Sequence, residues 1–198
     1  MSKRLYVAYG SNLNKAQMKQ RCPTAKFYGT GIIEGYALQF KGRPQSAFAT
    51  IAPKEGESVP VAVWEIQPRD EASLDRYEGY PSHYFKQNVP VQLGDEEIQA
   101  MVYIMNLQMK FGMPSAYYYQ TVLEGYYDCG LDTAVLDEAV KESAQKFYRE
   151  YERRAQQQTL FGFEVYGREP DEKEELEEAG EPEMEEDDPS CSFEGMHW

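Results

Sequence analysis

Three cysteines (Cys22, Cys129, Cys191) and two histidines (His83, His197) in 198 residues leave little from which to build a disulfide framework or a zinc site. Cysteines so few and so scattered point to a reducing, cytoplasmic setting. Haem ligation and a Ser-His-Asp triad are disfavoured by the same scarcity, and the sequence leads us to expect neither metal nor cofactor. No run approaches the roughly 18 apolar residues that a membrane-spanning helix requires, so no membrane role is expected. The start, Met1 to Gly10, has the basic pair Lys3-Arg4 but no apolar h-region, which argues against a secretory signal. Positive charge is also short, with 20 Lys and Arg against 34 Asp and Glu.

That imbalance is local. Residues 169–198 hold 14 of the acids and one base, Lys173, whereas residues 1–168 hold 20 acids and 19 bases. A near-neutral body without a basic stripe has no electrostatic footprint for nucleic acid, so no nucleic-acid partner is expected. The acidic blocks 171–178 and 183–188, broken by Pro170, Pro182 and Pro189, cannot bury enough apolar surface to offset their ordering entropy. The reading is a domain over 1–168 followed by a disordered acidic tail over 169–198. Phe193, Met196 and Trp198 near the tail's end make it a possible docking motif for a protein partner.

The body alternates strand and helix signals without an internal repeat. Strands are expected over 4–9, 31–40, 47–52, 59–66, 84–91 and 97–105, with Pro60 near the start of its strand. Helices are expected over 14–21, 69–78 and 115–127, and from about Asp132 into the 150s, the last with Leu136, Val140, Phe147 and Tyr151 as one stripe. Strands in close succession, with the longest helices last, argue for an α+β fold. Its core is a small curled or barrel-like, mixed or antiparallel sheet flanked by helices. The early connections are too short for regular crossover helices.

Three features carry chemistry. Tyr9-Gly10-Ser11-Asn12-Leu13 follows the first strand, and a turn of small residues lets several N–H groups converge on a carboxylate or oxyanion. Most such triplets are ordinary turns, and Ser11 lacks both a G-x-S-x-G setting and a histidine partner for nucleophilic work. Glu78 ends the second helix four residues after Leu74, so the two share a face, and an inward Leu74 turns Glu78 towards apolar and tyrosyl neighbours. Desolvation there raises a carboxyl's pKa, as acid–base work at neutral pH requires. An arbitrary glutamate in that position would sit in solvent. Sixteen tyrosines, with Tyr117-Tyr118-Tyr119 and Tyr126-Tyr127 on one helix and Tyr84 shortly after Glu78, are the third feature. Most serve packing, with one or two hydroxyls left to reach a pocket.

In this order the features resemble the gamma-glutamylcyclotransferase family. In that family a first strand runs into a Tyr-Gly-Ser loop, here Tyr6-Val7-Ala8-Tyr9-Gly10-Ser11-Asn12. A glutamate follows before a Gly, here Glu78 in Asp75-Arg76-Tyr77-Glu78-Gly79-Tyr80, and then Tyr84. Pro114-Ser115-Ala116-Tyr117-Tyr118 matches a later Pro-Ser-x-x-Tyr, and Gly130-Leu131 follows at the expected distance. The likeness covers most of residues 4–135. It implies a cofactor-independent enzyme that cyclises a small gamma-glutamyl compound to 5-oxoproline and releases an amine, with Glu78 as general acid and base. It further implies Tyr6, Val7, Ala8, Tyr9, Gly10, Ser11, Asn12, Tyr84 and Tyr118 as substrate-binding residues. The competing expectation is a non-catalytic module that binds a gamma-glutamyl or acidic metabolite while its tail recruits a partner. A variant of the first reading removes a gamma-glutamyl group from a pathway intermediate or trims a gamma-glutamyl-modified amine or protein.

Overall fold

The computed structural model describes residues 4–106 and 108–166. By contact the chain divides into a unit Met1–Thr159 and a unit Leu160–Trp198. The expected tail over 169–198 lies outside the described residues. Five strands, β1 (Arg4–Ala8), β2 (Lys26–Arg43), β3 (Ser46–Ile66), β4 (Tyr84–Leu93) and β5 (Glu96–Met105), close into a barrel in the order β1-β3-β2-β4-β5. The sheet is mixed. β1 runs antiparallel to β3, from Arg4↔Ile66 to Ala8↔Ala62, and parallel to β5 at Tyr6↔Met101 and Val7↔Val102. Ile32↔Gln92 joins β2 to β4.

Val7, Ile33, Phe40, Ile51, Val59, Val63, Val91 and Val102 are among the buried residues that fill the core. β-branched side chains suit this environment because their stiff χ1 loses little on a pleated, half-buried surface. The strands expected over 47–52 and 59–66 are one continuous strand, β3, forming a long hairpin with β2. Pro53 and Gly56 look like a strand break in sequence. The structure absorbs them at a register shift between Glu34 and Tyr36, which sets Gly35 against Lys54–Glu57. Pro60 therefore lies inside a strand rather than near its start. It is two residues past the last β1 pair, where β3 has only β2 as a neighbour.

The described residues form four α-helices: α1 (Lys15–Arg21), α2 (Pro68–Glu78), α3 (Ala116–Cys129) and α4 (Thr133–Tyr166). α4 buries Leu136, Ala139 and Ser143, and the Ser143 hydroxyl accepts the Phe40 N–H at 2.9 Å, fixing the helix to β2. The expected stripe ends early: Tyr151 is exposed, stacked on Phe147. Among the described residues no helix is long and apolar enough to cross a membrane.

Candidate active site

Three local structures bring the site together. β1 ends at Ala8, and after Tyr9-Gly10 the chain makes a 3-10 turn over Ser11–Leu13 before entering α1. Asn14 caps α1 by accepting the Gln17 N–H at 3.0 Å. α2 opens with a capping box between Gln67 and Asp70 and with Pro68 at its first position, where a missing N–H costs nothing. It stops at Gly79, whose left-handed backbone (φ 64°) lets Tyr80 N–H reach back to the Asp75 carbonyl at 2.9 Å. Glu78 is thus the last helical residue, one turn after the fully buried Leu74. α3 is capped by Ser115, whose hydroxyl accepts the Tyr118 N–H at 3.2 Å.

At their meeting point the Asn12 amide nitrogen donates to Glu78 Oε1 at 3.0 Å and to the Tyr6 hydroxyl at 2.7 Å. Arg21, the last residue of α1, donates to Asn12 Oδ1 at 2.6 Å and to Ser11 Oγ at 3.3 Å. It also donates to Gln17, and its guanidinium lies 3.7 Å from the centre of the Tyr77 ring. The Tyr77 hydroxyl shares a hydrogen bond with Ser11 Oγ at 3.1 Å. Opposite, the backbone of Ala49 is held by two tyrosines. Its N–H donates to Tyr118 at 3.2 Å, and its carbonyl accepts from Tyr84 at 3.1 Å. β3 has no strand on that edge, because β1 pairs only with residues 62–66, so the hydroxyls satisfy groups that a ladder otherwise would. The Tyr9 hydroxyl donates to the Tyr103 carbonyl at 2.6 Å.

Glu78 is half-buried and closely surrounded. Burial pushes its carboxyl up to about 7, against the opposing pull of the Arg21 charge and the Asn12 hydrogen bond. Burial likewise drives the hydroxyls of Tyr6, Tyr9, Tyr84 and Tyr118 well above the usual phenol range, with the negative charge on Glu78 adding to the effect. These tyrosines stay neutral at any physiological pH. The arrangement is one carboxyl able to gain and lose a proton near neutrality, enclosed by groups that do not titrate there.

A search of protein families matches residues 6–128 to gamma-glutamyl cyclotransferase, AIG2-like. The chain belongs to the gamma-glutamyl cyclotransferase family. It is 30% identical over 137 residues to a human gamma-glutamylcyclotransferase, covering 64% of this chain and 72% of the human protein. A bovine gamma-glutamylcyclotransferase is 34% identical over 97 residues, 45% of this chain, and the match spans half the length of the bovine protein. Among solved structures, a gamma-glutamyl cyclotransferase superposes with a TM-score of 0.64 at 27% identity. It covers 70% of this chain and 86% of that one.

Of the residues singled out in sequence, Tyr6, Asn12 and Glu78 are joined by hydrogen bonds, and Ser11 is one bond from Asn12's partner Arg21. The negative charge of Glu78 reaches Tyr9, Tyr84 and Tyr118, and the Tyr118 hydroxyl lies against Gly10. Val7 and Ala8 differ: each is 1% exposed and its side chain belongs to the core. Two groups were not foreseen for this family member, Arg21 and the Tyr77 ring. Arg21 is nine residues from Asn12 and fits no helical spacing with it, so only folding α1 back over the turn reveals the pair. Of two surface hollows, one is lined by Ala16, Gln17, Lys19 and Gln20 and the other by residues between Asp75 and His83, and Glu78 lines neither. Among the described residues no group of three His, Cys, Asp or Glu side chains is arranged to hold a metal ion.

Proposed function

We propose that the chain is a gamma-glutamylcyclotransferase that converts a gamma-glutamyl compound into 5-oxoproline and a free amine, with Glu78 as the single acid–base group. The observation that supports this most directly is the Glu78 carboxyl, held near 7 and hydrogen-bonded to Asn12 at the first-strand turn. The α-amine of the gamma-glutamyl group attacks its own γ-carbonyl, forming a C–N bond and a tetrahedral oxyanion. Glu78 as carboxylate takes the proton that the attacking nitrogen loses. As the old C–N bond breaks, Glu78 returns that proton to the departing amine. Protons balance over the cycle, and the scheme requires no cofactor.

Attacker and target share one molecule, so holding the cyclic conformer supplies most of the rate advantage. In this reading the backbone N–H groups around Gly10, Ser11 and Asn12 receive the substrate carboxylate or the oxyanion, a role in which one donor typically contributes about 3 kcal/mol. Tyr84 and Tyr118 border the pocket as neutral hydroxyls. Phe48, packed edge-on against Tyr118 with centroids 5.0 Å apart, lies beside them. The test is incubation of purified protein with gamma-glutamyl dipeptides, glutathione and gamma-glutamyl-lysine compounds, following 5-oxoproline by mass spectrometry. Product from at least one substrate, absent with Glu78→Gln, is the expected result. No product from any of them would leave the binding-module reading in its place.

A further inference from the structure

The Asn12 side chain has one acceptor and two donor hydrogens, and all three are engaged. Arginine has no acceptor, so the atom facing Arg21 at 2.6 Å has to be Oδ1. The amide nitrogen is then directed at Tyr6 and Glu78, using both its hydrogens. Without Arg21 no other hydrogen bond among the described residues fixes which way the amide faces. Turned over, it would present Oδ1 to Glu78, tolerable for a carboxylic acid and repulsive for a carboxylate.

Arg21 is itself firmly held. It stacks on Tyr77, reaches Ser11, and bonds Gln17 one turn earlier on α1. Its place at the helix C-terminus also favours a cation. Its partners there are neutral acceptors, and among the described residues no carboxylate stands within 4.0 Å in an ion pair with it. A guanidinium left unneutralised beside Glu78 has a reason to be there other than a surface ion pair.

We infer that Arg21 is a positioning residue that locks the Asn12 amide, through its Oδ1, in the orientation that keeps an N–H on Glu78 through both protonation states. The inference rests on the reading of Glu78 as the acid–base group. The groups facing Glu78 are Arg21 from α1, Tyr6 and Tyr9 from β1 and the turn after it, Tyr84 from β4, Tyr103 from β5 and Tyr118 from α3, with Tyr77 adjacent. Arg21 is the one formal charge among them, so replacing it acts on Glu78's titration through that charge and through the Asn12 amide it orients.

Three variants and two measurements test this. Arg21→Gln removes the charge and the forked donor; Arg21→Lys keeps the charge but, as a point donor, cannot hold Asn12, Ser11 and Gln17 together. Glu78→Gln is the control for the underlying reading. Steady-state kinetics against pH are read beside a 13C-carboxyl titration of glutamate-labelled protein, with Glu78 assigned by its absence in the control. For Arg21→Gln we expect kcat to fall about tenfold, KM to stay within about twofold, and the Glu78 midpoint to rise by about one pH unit. Arg21→Lys keeps the charge, so its midpoint rises less than that of Arg21→Gln, and it still loses kcat. An Arg21→Gln protein with wild-type kcat, pH profile and midpoint overturns the inference, as does a rise in KM alone, which would make Arg21 a substrate contact. An active Glu78→Gln protein overturns the reading beneath it, and the titration still reports whether Arg21 governs that carboxyl.

Discussion

Gly125 of α3 and Leu13 of the 3-10 turn approach so closely that a Cβ added to the glycine would stand 2.6 Å from the Leu13 Cβ and 2.6 Å from the Asn14 nitrogen. This contact sets how far α3, which carries Tyr118, stands from the turn that carries Asn12. An alanine at 125 would gain about 1 kcal/mol of helix propensity. It would also push on a rigid backbone, where overpacking costs about 1–3 kcal/mol. The second effect wins because a backbone nitrogen cannot move aside as a flexible side chain can. Gly125→Ala is expected to lower stability in urea unfolding by about 1 kcal/mol, and Gly125→Val by more.

Glu78 makes stability depend on pH in a definite direction. Its carboxyl is raised from 4.5 to about 7 in the folded protein, so the native state holds its proton more tightly than the unfolded chain does. The stability this contributes is complete below about 4.5 and is lost as pH rises through about 7. Glu78→Gln, which stays neutral, is expected to be more stable than the parent at pH 8, by on the order of 2 kcal/mol. The gap closes towards pH 5. Denaturant unfolding of both proteins at the two pH values measures it, and equal stability at pH 8 would remove the burial argument.

Tyr118→Phe tests the other wall of the site. The ring and its edge-on contact with Phe48 remain, but the Ala49 N–H loses its acceptor on an edge where no strand can replace it. A loss of about 1–2 kcal/mol in thermal unfolding is expected. Ala49's carbonyl keeps its bond from Tyr84, so the hairpin stays closed.

Asp70 supports the site from beneath. It is almost wholly buried, accepts the Gln67 N–H at 3.0 Å as part of the α2 capping box, and accepts the Thr24 hydroxyl at 2.6 Å. Asp70→Ala removes the cap and the link to the chain after α1 together. We expect about 2 kcal/mol of destabilisation in chemical unfolding, with a pH profile of turnover unchanged in shape, since Asp70 has no contact with Glu78.

Much of the fold was legible because local rules govern it. Gly79 and Pro81 mark the end of α2, and Ser115 marks the start of α3. The β3 strand was not legible, because Pro53 and Gly56 break a short strand in isolation and only the register shift opposite Gly35 accommodates them. Tyr151 does share a face with Phe147 but is exposed, since helical periodicity says which residues share a face and not how far along the helix the barrel continues.

By itself the sequence determined the parts: a turn of small residues after a first strand, a glutamate on the same helical face as a core leucine, and tyrosines in excess. These follow from spacing and from the backbone preferences of glycine, proline and serine, which act within a few residues. The tertiary structure alone decided that Asn12 and Glu78, 66 positions apart, share a hydrogen bond, and that Arg21 turns back to hold the amide between them. Closing a barrel fixes such long-range neighbours through shape and burial. No pattern of nearby residues encodes them.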